Sequence, residues 1–144
     1  MKHWIQAARL RTLPLSVSGI ILGSFYAMSQ SMFNWKIVIF ALTTTLGLQI
    51  LSNFANDYGD GIKGTDNEDR VGPKRAIQSG VISPAEMKKA MVITSILTLI
   101  SAILLIYNSF KDNNLGYSLF FLALGILAIA SAIRYTVGNT AYGY

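Results

Sequence analysis

Four polar residues in the stretch LQILSNFANDYGDGIKGTDNEDR, residues 48–70, have types and a spacing that suit metal binding. Asn53, Asn56, Asp57 and Asp60 follow the pattern i, i+3, i+4 and i+7, so on a continuous helix they form one stripe. Mg²⁺ is usually held by one or two carboxylates, with substrate phosphates and waters completing its shell. The stripe therefore predicts a magnesium site with Asp57 and Asp60 as carboxylate ligands and the two asparagines as neutral oxygen donors.

Basic residues follow the acidic ones directly in the chain. They are Lys63, Arg70, Lys74 and Arg75. Lys and Arg side chains bind phosphate oxygens, and an acidic stripe beside a basic segment is explained if a metal-bound polyanion lies between them. We therefore expect these four residues and Asn56 to bind a diphosphate group.

Other interpretations of the same stretch are weaker or less specific. The acids are also explained as a solvated helix end beyond the lipid, and Asn53 as the partner in an interhelical hydrogen bond. The aspartate spacing does not match a calcium-binding loop. Gly59, Gly61 and Gly64 match G-x-G-x-x-G, but the match follows an apolar helix and not a strand, so a dinucleotide site is disfavoured.

The composition places these residues in a membrane protein. The 144-residue chain is 52% apolar and 13% charged, whereas soluble domains carry about 25% charge. Because the chain has no cysteine, disulfides, thiol nucleophiles and cysteine-based metal sites are excluded. The net charge of +5 is explained by basic loops on one side of a bilayer, so we expect no nucleic-acid partner.

Four apolar segments predict an all-α, multi-pass transmembrane helical bundle. A spanning helix needs about 20 mainly apolar residues, and the candidate spans are 13–28, 37–56, 90–107 and 117–133. Gly19 and Gly23 form a G-x-x-x-G pair that suits helix packing in membranes. Ser83 and Glu86 have the spacing of a capping box at the start of the third span. The long segment 57–89 is predicted to be the functional loop.

The distribution of Lys and Arg predicts the orientation. With the N-terminus in the cytoplasm, ten of the 12 basic residues lie on the inner side, and only Lys36 and Lys111 lie outside. This agrees with the positive-inside rule. We therefore expect a multi-pass membrane protein with both the N-terminus and the 57–89 loop in the cytoplasm.

The stretch NFANDYGDGIKGTDNEDRVGPKRAIQSGVISPAEM resembles the first aspartate-rich motif and following loop of the UbiA superfamily of intramembrane aromatic prenyltransferases. Within it, NDYGDGIKGTD, R-x-G-P-x-R and QSG-x-IS are similar to the branch that prenylates 1,4-dihydroxy-2-naphthoate in menaquinone synthesis. The beginning, WIQAARLRTLPLSVSGIILG, and the end, RYTVGNTAYGY, also resemble that branch.

The resemblance implies a fold and a reaction. Helical bundles are one of the two architectures that cross a bilayer, and this family resembles a bundle of about nine spanning helices, of which residues 1–144 would be the N-terminal half. The reaction would join a polyprenyl diphosphate to an aromatic acceptor with loss of CO₂, using Mg²⁺. The implied catalytic residues are Asp57, Asp60, Lys63 and Arg70, and the implied location is a bacterial cytoplasmic membrane.

Two features of the sequence depart from the superfamily pattern. Position 64 is glycine where the common motif has its last aspartate, so Asp66 is the expected replacement metal ligand. The second aspartate-rich motif is not found within the 144 residues. A non-catalytic membrane fragment is therefore kept as an alternative, and another prenyltransferase of the superfamily, acting on 4-hydroxybenzoate or haem, is a second one. Tyr135, Tyr142 and Tyr144 suit either an aromatic belt or side chains near the acceptor.

Overall fold

The structure is a computed structural model that describes residues 1–65, 74–110 and 114–144. Within these ranges the regular elements are all helical and no strand is present, which confirms the predicted all-α class. The α-helices of the described chain are α1 (Lys2–Ala7), α2 (Leu13–Ser29), α3 (Trp35–Lys63), α4 (Pro84–Phe110) and α5 (Leu115–Arg134). A 3-10 turn, Leu10–Thr12, joins α1 to α2. Residues 2–29 taken together, and each of α3, α4 and α5, are long and apolar enough to cross a membrane.

Several helix ends are set by local capping groups. The side-chain oxygen of Asn34 accepts a hydrogen bond from the backbone N–H of Lys36 at 2.9 Å and starts α3. The predicted capping box at α4 is confirmed, because the Ser83 backbone N–H donates to Glu86 Oε2 at 2.8 Å and the Glu86 N–H donates to Ser83 Oγ at 3.3 Å. Helix α3 ends at Gly64, whose φ of 71° is a left-handed conformation that glycine adopts without steric cost.

The segment predicted as a loop, 57–89, is shorter in the structure. Helix α3 continues to Lys63 and α4 already begins at Pro84, so the connection covers only residues 64–83. Gly59 and Gly61 lie inside α3 and do not end it. Their low helix propensity is overridden because this part of α3 is packed on several sides, and tertiary packing commonly outweighs propensity. Within the connection, residues 66–73 lie outside the described ranges.

Helix α3 is the central element of the bundle and contacts α1, α2, α4 and α5. Its approach to α4 is close, since a Cβ added at Gly47 would meet the side chain of Thr98. The hydroxyl oxygens of Thr43 and Ser101 are 2.6 Å apart across the same pair of helices. Small and hydroxyl-bearing residues are typical of helix packing in membranes. The predicted pair in α2 behaves differently, because no described atom lies within 4 Å of a Cβ added at Gly19 or Gly23.

The hydrophobic core lies at one end of the bundle, which we call the charged end: the C-terminal part of α3, the first turns of α4, the segment 74–83 and α1. Leu51 and Met87 are fully buried there, and the core cluster continues through α1 and the segment 74–83. Helices α2 and α5, both fully described, contain no buried residue. The polar stripe of α3 is therefore carried by the best-packed part of the described chain.

Candidate functional site

Helix α3 is continuous through all four polar positions, so the stripe expected from the sequence forms on one face. Asn53 and Asp57 are buried, with 3% and 2% of their surface exposed, while Asn56 and Asp60 are half-buried. A carboxylate buried this deeply is costly unless a counter-charge or a hydrogen-bonding group accompanies it. The burial of Asn53 and Asp57 therefore favours a polar site inside the protein over a helix end that is exposed to solvent.

Asn53 holds the N-terminal helix against α3. Its Nδ2 donates to the backbone oxygen of Ala8 at 2.9 Å and to Thr12 Oγ1 at 3.3 Å. Its Oδ1 accepts from Gln49 Nε2 at 3.5 Å, and Gln49 Oε1 in turn accepts from Ser16 Oγ at 2.9 Å. The interhelical hydrogen bond that the sequence offered as an alternative role is thus present, and metal ligation by Asn53 stays a prediction.

The segment after α5 folds back onto the same face of α3. The Thr136 hydroxyl donates to the backbone oxygen of Ala55 at 2.8 Å and to Asn56 Oδ1 at 3.3 Å. Gly59 makes this contact sterically possible, because an added Cβ would lie 2.7 Å from the carbonyl carbon and from the Cβ of Thr136. The diphosphate-binding role predicted for Asn56 is untested, and its oxygen is in contact with Thr136.

Asp60 is surrounded by groups that are distant in the sequence. Its Oδ2 forms an ion pair with Arg75 Nη1 at 3.1 Å. Its Oδ1 accepts hydrogen bonds from the hydroxyl of Tyr144 and, at 3.4 Å, from Thr65 Oγ1. The ammonium of Lys63 lies 3.7 Å from the centre of the Tyr144 ring, a favourable cation–π distance. The structure therefore joins Asp60, Lys63 and Arg75 as predicted neighbours and adds Tyr144, which the sequence only left open.

Asp57 lines a cleft of about 810 Å³ at the charged end. One wall is the N-terminal segment with Arg9 and Arg11, and the other is the segment 74–83 of the connection, with Lys74 and Arg75. We call this space the N-terminal cleft. It brings Asp57 together with two of the four basic residues predicted to bind phosphate.

The remaining predicted residues are placed elsewhere or not described. Asp60 and Lys63 are not among the residues that line the N-terminal cleft. Asp66 and Arg70 lie outside the described residues, so their predicted roles are untested. Sequence reasoning missed Arg9 and Arg11 as site residues, because it counted them only as inside charge. Their pairing with Asp57 in one cleft depends on the folding of α1 over α3, for which the local sequence carries no signal.

The donor set of the site fits Mg²⁺. Asp57 and Asp60 are separated by one helical turn, and Mg²⁺ is typically held by one or two carboxylates together with substrate phosphates. No group of three or more His, Cys, Asp or Glu side chains that could hold a metal occurs among residues 1–65, 74–110 and 114–144. Metal binding by Asp57 and Asp60 therefore stays a prediction, and in the structure the two Asp60 oxygens contact Arg75 and Tyr144.

Comparison of the sequence with known proteins identifies the family to which the chain is similar. The model of the UbiA prenyltransferase family matches residues 16–143. The chain is 46% identical over 141 residues to the 1,4-dihydroxy-2-naphthoate octaprenyltransferase of Escherichia coli K12, covering 98% of this chain and 45% of that protein. It is 45% identical over 147 residues to the enzyme of the same name from Haemophilus influenzae, covering 100% of this chain and 47% of that protein.

A more distant relative has the same name. The 1,4-dihydroxy-2-naphthoate octaprenyltransferase of Mycobacterium tuberculosis is 34% identical over 142 residues, which cover 99% of this chain and 46% of that protein. The chain therefore spans about half the length of the curated relatives that it matches. No solved structure matches the chain.

Proposed function

This chain belongs to the UbiA prenyltransferase family, and we propose that the protein transfers a polyprenyl group from a polyprenyl diphosphate to 1,4-dihydroxy-2-naphthoate. The ring carboxylate leaves as CO₂, diphosphate leaves from the prenyl donor, and the product is a demethylmenaquinol, the reduced form of demethylmenaquinone, in menaquinone synthesis. The observation that carries the proposal is the identity of 46% to a relative of that activity over nearly the whole chain. Because the chain spans about half of such relatives, the activity is proposed for the full-length protein.

In this proposal the polar residues of this chain act on the diphosphate, which is the leaving group of the reaction. Asp57 and Asp60 would hold Mg²⁺, which when bound neutralises the charge that grows on the departing diphosphate. Lys74 and Arg75, on one wall of the N-terminal cleft, bind and orient phosphate oxygens by charge-assisted hydrogen bonds. As the C–O bond breaks, an electron-rich ring carbon of the acceptor attacks the allylic carbon. The apolar helices keep water away from that carbon.

The helices and the family membership make this a multi-pass membrane protein. The proposed location is a bacterial cytoplasmic membrane with the charged end in the cytoplasm, supported by the excess of Lys and Arg on that side. In this orientation the diphosphate headgroup of the prenyl donor reaches the site from the aqueous side, while its isoprenoid chain stays in lipid.

The test is Asp57→Asn in the full-length protein, with Asp112→Asn as a matched control that removes a carboxylate outside the motif. Membranes are supplied with polyprenyl diphosphate, Mg²⁺ and either 1,4-dihydroxy-2-naphthoate or 4-hydroxybenzoate. We expect Asp57→Asn to lose transfer by about 10²-fold or more, as for other groups that act on transition-state charge, with membrane insertion unchanged. Wild-type turnover by Asp57→Asn, indifference to a chelator, or transfer only to 4-hydroxybenzoate would contradict the proposal.

A further inference from the structure

Arg9 and Arg11 line the N-terminal cleft together with Asp57, although no motif in the sequence assigns them to the site. We infer that these two arginines bind an oxyanion of a substrate. The inference rests on the proposed function, which supplies two such groups: the diphosphate of the prenyl donor and the carboxylate of the aromatic acceptor. In both cases the N-terminal segment would bind substrate in addition to leading into the first candidate membrane span.

The charge of the cleft indicates an anionic ligand. Arg9, Arg11, Lys74 and Arg75 contribute four cationic side chains, and Asp57 is the single carboxylate among the described residues that line the space. Asp57 and Asp60, which is ion-paired with Arg75, together offset only two of these four positive charges. A cleft with charge of one sign and low-dielectric walls concentrates ligands of the opposite sign. The cationic side chains come from two segments that are distant in the sequence, Arg9 and Arg11 from one and Lys74 and Arg75 from the other.

The backbone at Arg9 supports a specific role for this residue. Arg9 has φ 51° and ψ 57°, a left-handed conformation that is sterically disfavoured for any residue with a Cβ. Both the backbone N–H and the hydroxyl of Thr12 donate to the Arg9 carbonyl oxygen, at 2.8 Å and 2.9 Å. Conformations of this kind persist where the surrounding structure holds them, and they cluster at ligand-binding sites.

The wall that carries the arginines is anchored to α3. Asn53 Nδ2 donates to the Ala8 backbone oxygen at 2.9 Å, one residue before Arg9. The rings of Trp4 and Phe54 pack edge to face with centroids 5.8 Å apart. A guanidinium on an anchored wall loses less freedom on binding, and its fork matches the oxygens of both carboxylate and phosphate.

The experiment uses three variants of the full-length protein and one control. Arg9→Gln and Arg11→Gln remove one cleft charge each, and Arg9→Lys keeps the charge but removes the fork. Lys2→Gln removes a charge from the same N-terminal segment, in α1, at a residue that does not line the cleft. KM and kcat are measured with each substrate varied in turn. Binding of two probes, inorganic pyrophosphate with Mg²⁺ and 2-naphthoate, is measured by calorimetry in detergent.

We expect Arg9→Gln and Arg11→Gln to raise one KM by about tenfold or more, since hydrogen bonds to charged groups are worth that factor. A higher KM for the prenyl donor with weaker pyrophosphate binding assigns the site to the diphosphate. A higher KM for the acceptor with weaker 2-naphthoate binding assigns it to the ring carboxylate. Lys2→Gln should match the wild type, and Arg9→Lys should recover only part of the loss.

The inference is overturned if both glutamine variants bind both probes as Lys2→Gln does, even when kcat falls. Thermal unfolding without ligand shows whether each variant is folded. If Arg9→Gln does not fold, Arg11→Gln decides the question, because Arg11 is not in a left-handed conformation. The probe measurements need no turnover, so failure of the proposed prenyl transfer would be seen separately from failure of oxyanion binding.

Discussion

The contact between α3 and the segment after α5 predicts that Gly59→Ala destabilises the protein. An alanine Cβ at this position would lie 2.7 Å from the carbonyl carbon and from the Cβ of Thr136. The atoms it meets belong to the backbone and to a buried residue, so they cannot move aside as a flexible side chain can. Overpacking of this kind costs about 1–3 kcal/mol.

The clash also threatens the two hydrogen bonds that the Thr136 hydroxyl donates. The hydroxyl has one proton, which the two acceptors share, so together they are worth about 0.5–1.5 kcal/mol, while alanine in a helix recovers about 0.5–1 kcal/mol relative to glycine. The net expectation is a destabilisation of about 1–4 kcal/mol. For a protein of this size or larger, that lowers Tm by roughly 2–15 °C.

The assay is thermal unfolding of the full-length protein in detergent, followed by circular dichroism. Gly125→Ala is the matched control, because its added Cβ would lie 4.0 Å from Ala102 Cβ, an ordinary van der Waals contact. The two variants make the same chemical change in two packed helices and differ in the space available. If Gly59→Ala unfolds at the temperature of Gly125→Ala, the close approach of Thr136 to α3 is refuted.

Three further substitutions test individual contacts. Asn53→Ala should cost about 1–3 kcal/mol, because it leaves the buried Ala8 carbonyl without its partner; an unchanged Tm would contradict this anchoring role. Ser83→Ala should cost about 1 kcal/mol through loss of the N-cap, measured as faster hydrogen exchange in the first turn of α4; unchanged exchange would show that the cap is dispensable. Tyr144→Phe removes the hydrogen bond to Asp60 but keeps the ring, so we expect altered Mg²⁺ affinity by calorimetry with Tm nearly unchanged. Identical Mg²⁺ affinity in that variant would separate Tyr144 from the carboxylate.

The sequence alone was sufficient for the features that depend on local pattern. Long apolar runs predict spanning helices, because a bilayer leaves backbone groups no partner outside their own segment. The helix class and the capping box of Ser83 and Glu86 follow from such patterns and are confirmed. The stripe of Asn53, Asn56, Asp57 and Asp60 needs only an unbroken helix, which α3 provides.

The three-dimensional structure decided everything that depends on contacts between distant segments. The extent of α3 and α4 into the predicted loop depends on packing at the charged end, which no local propensity encodes. Thr136 and Tyr144 reach the stripe from about 80 positions away along the chain. Arg9 and Arg11 enter the cleft only because α1 folds over α3. A side chain's neighbours are set by which helix faces meet, and the spacing of residues within one segment does not specify that meeting.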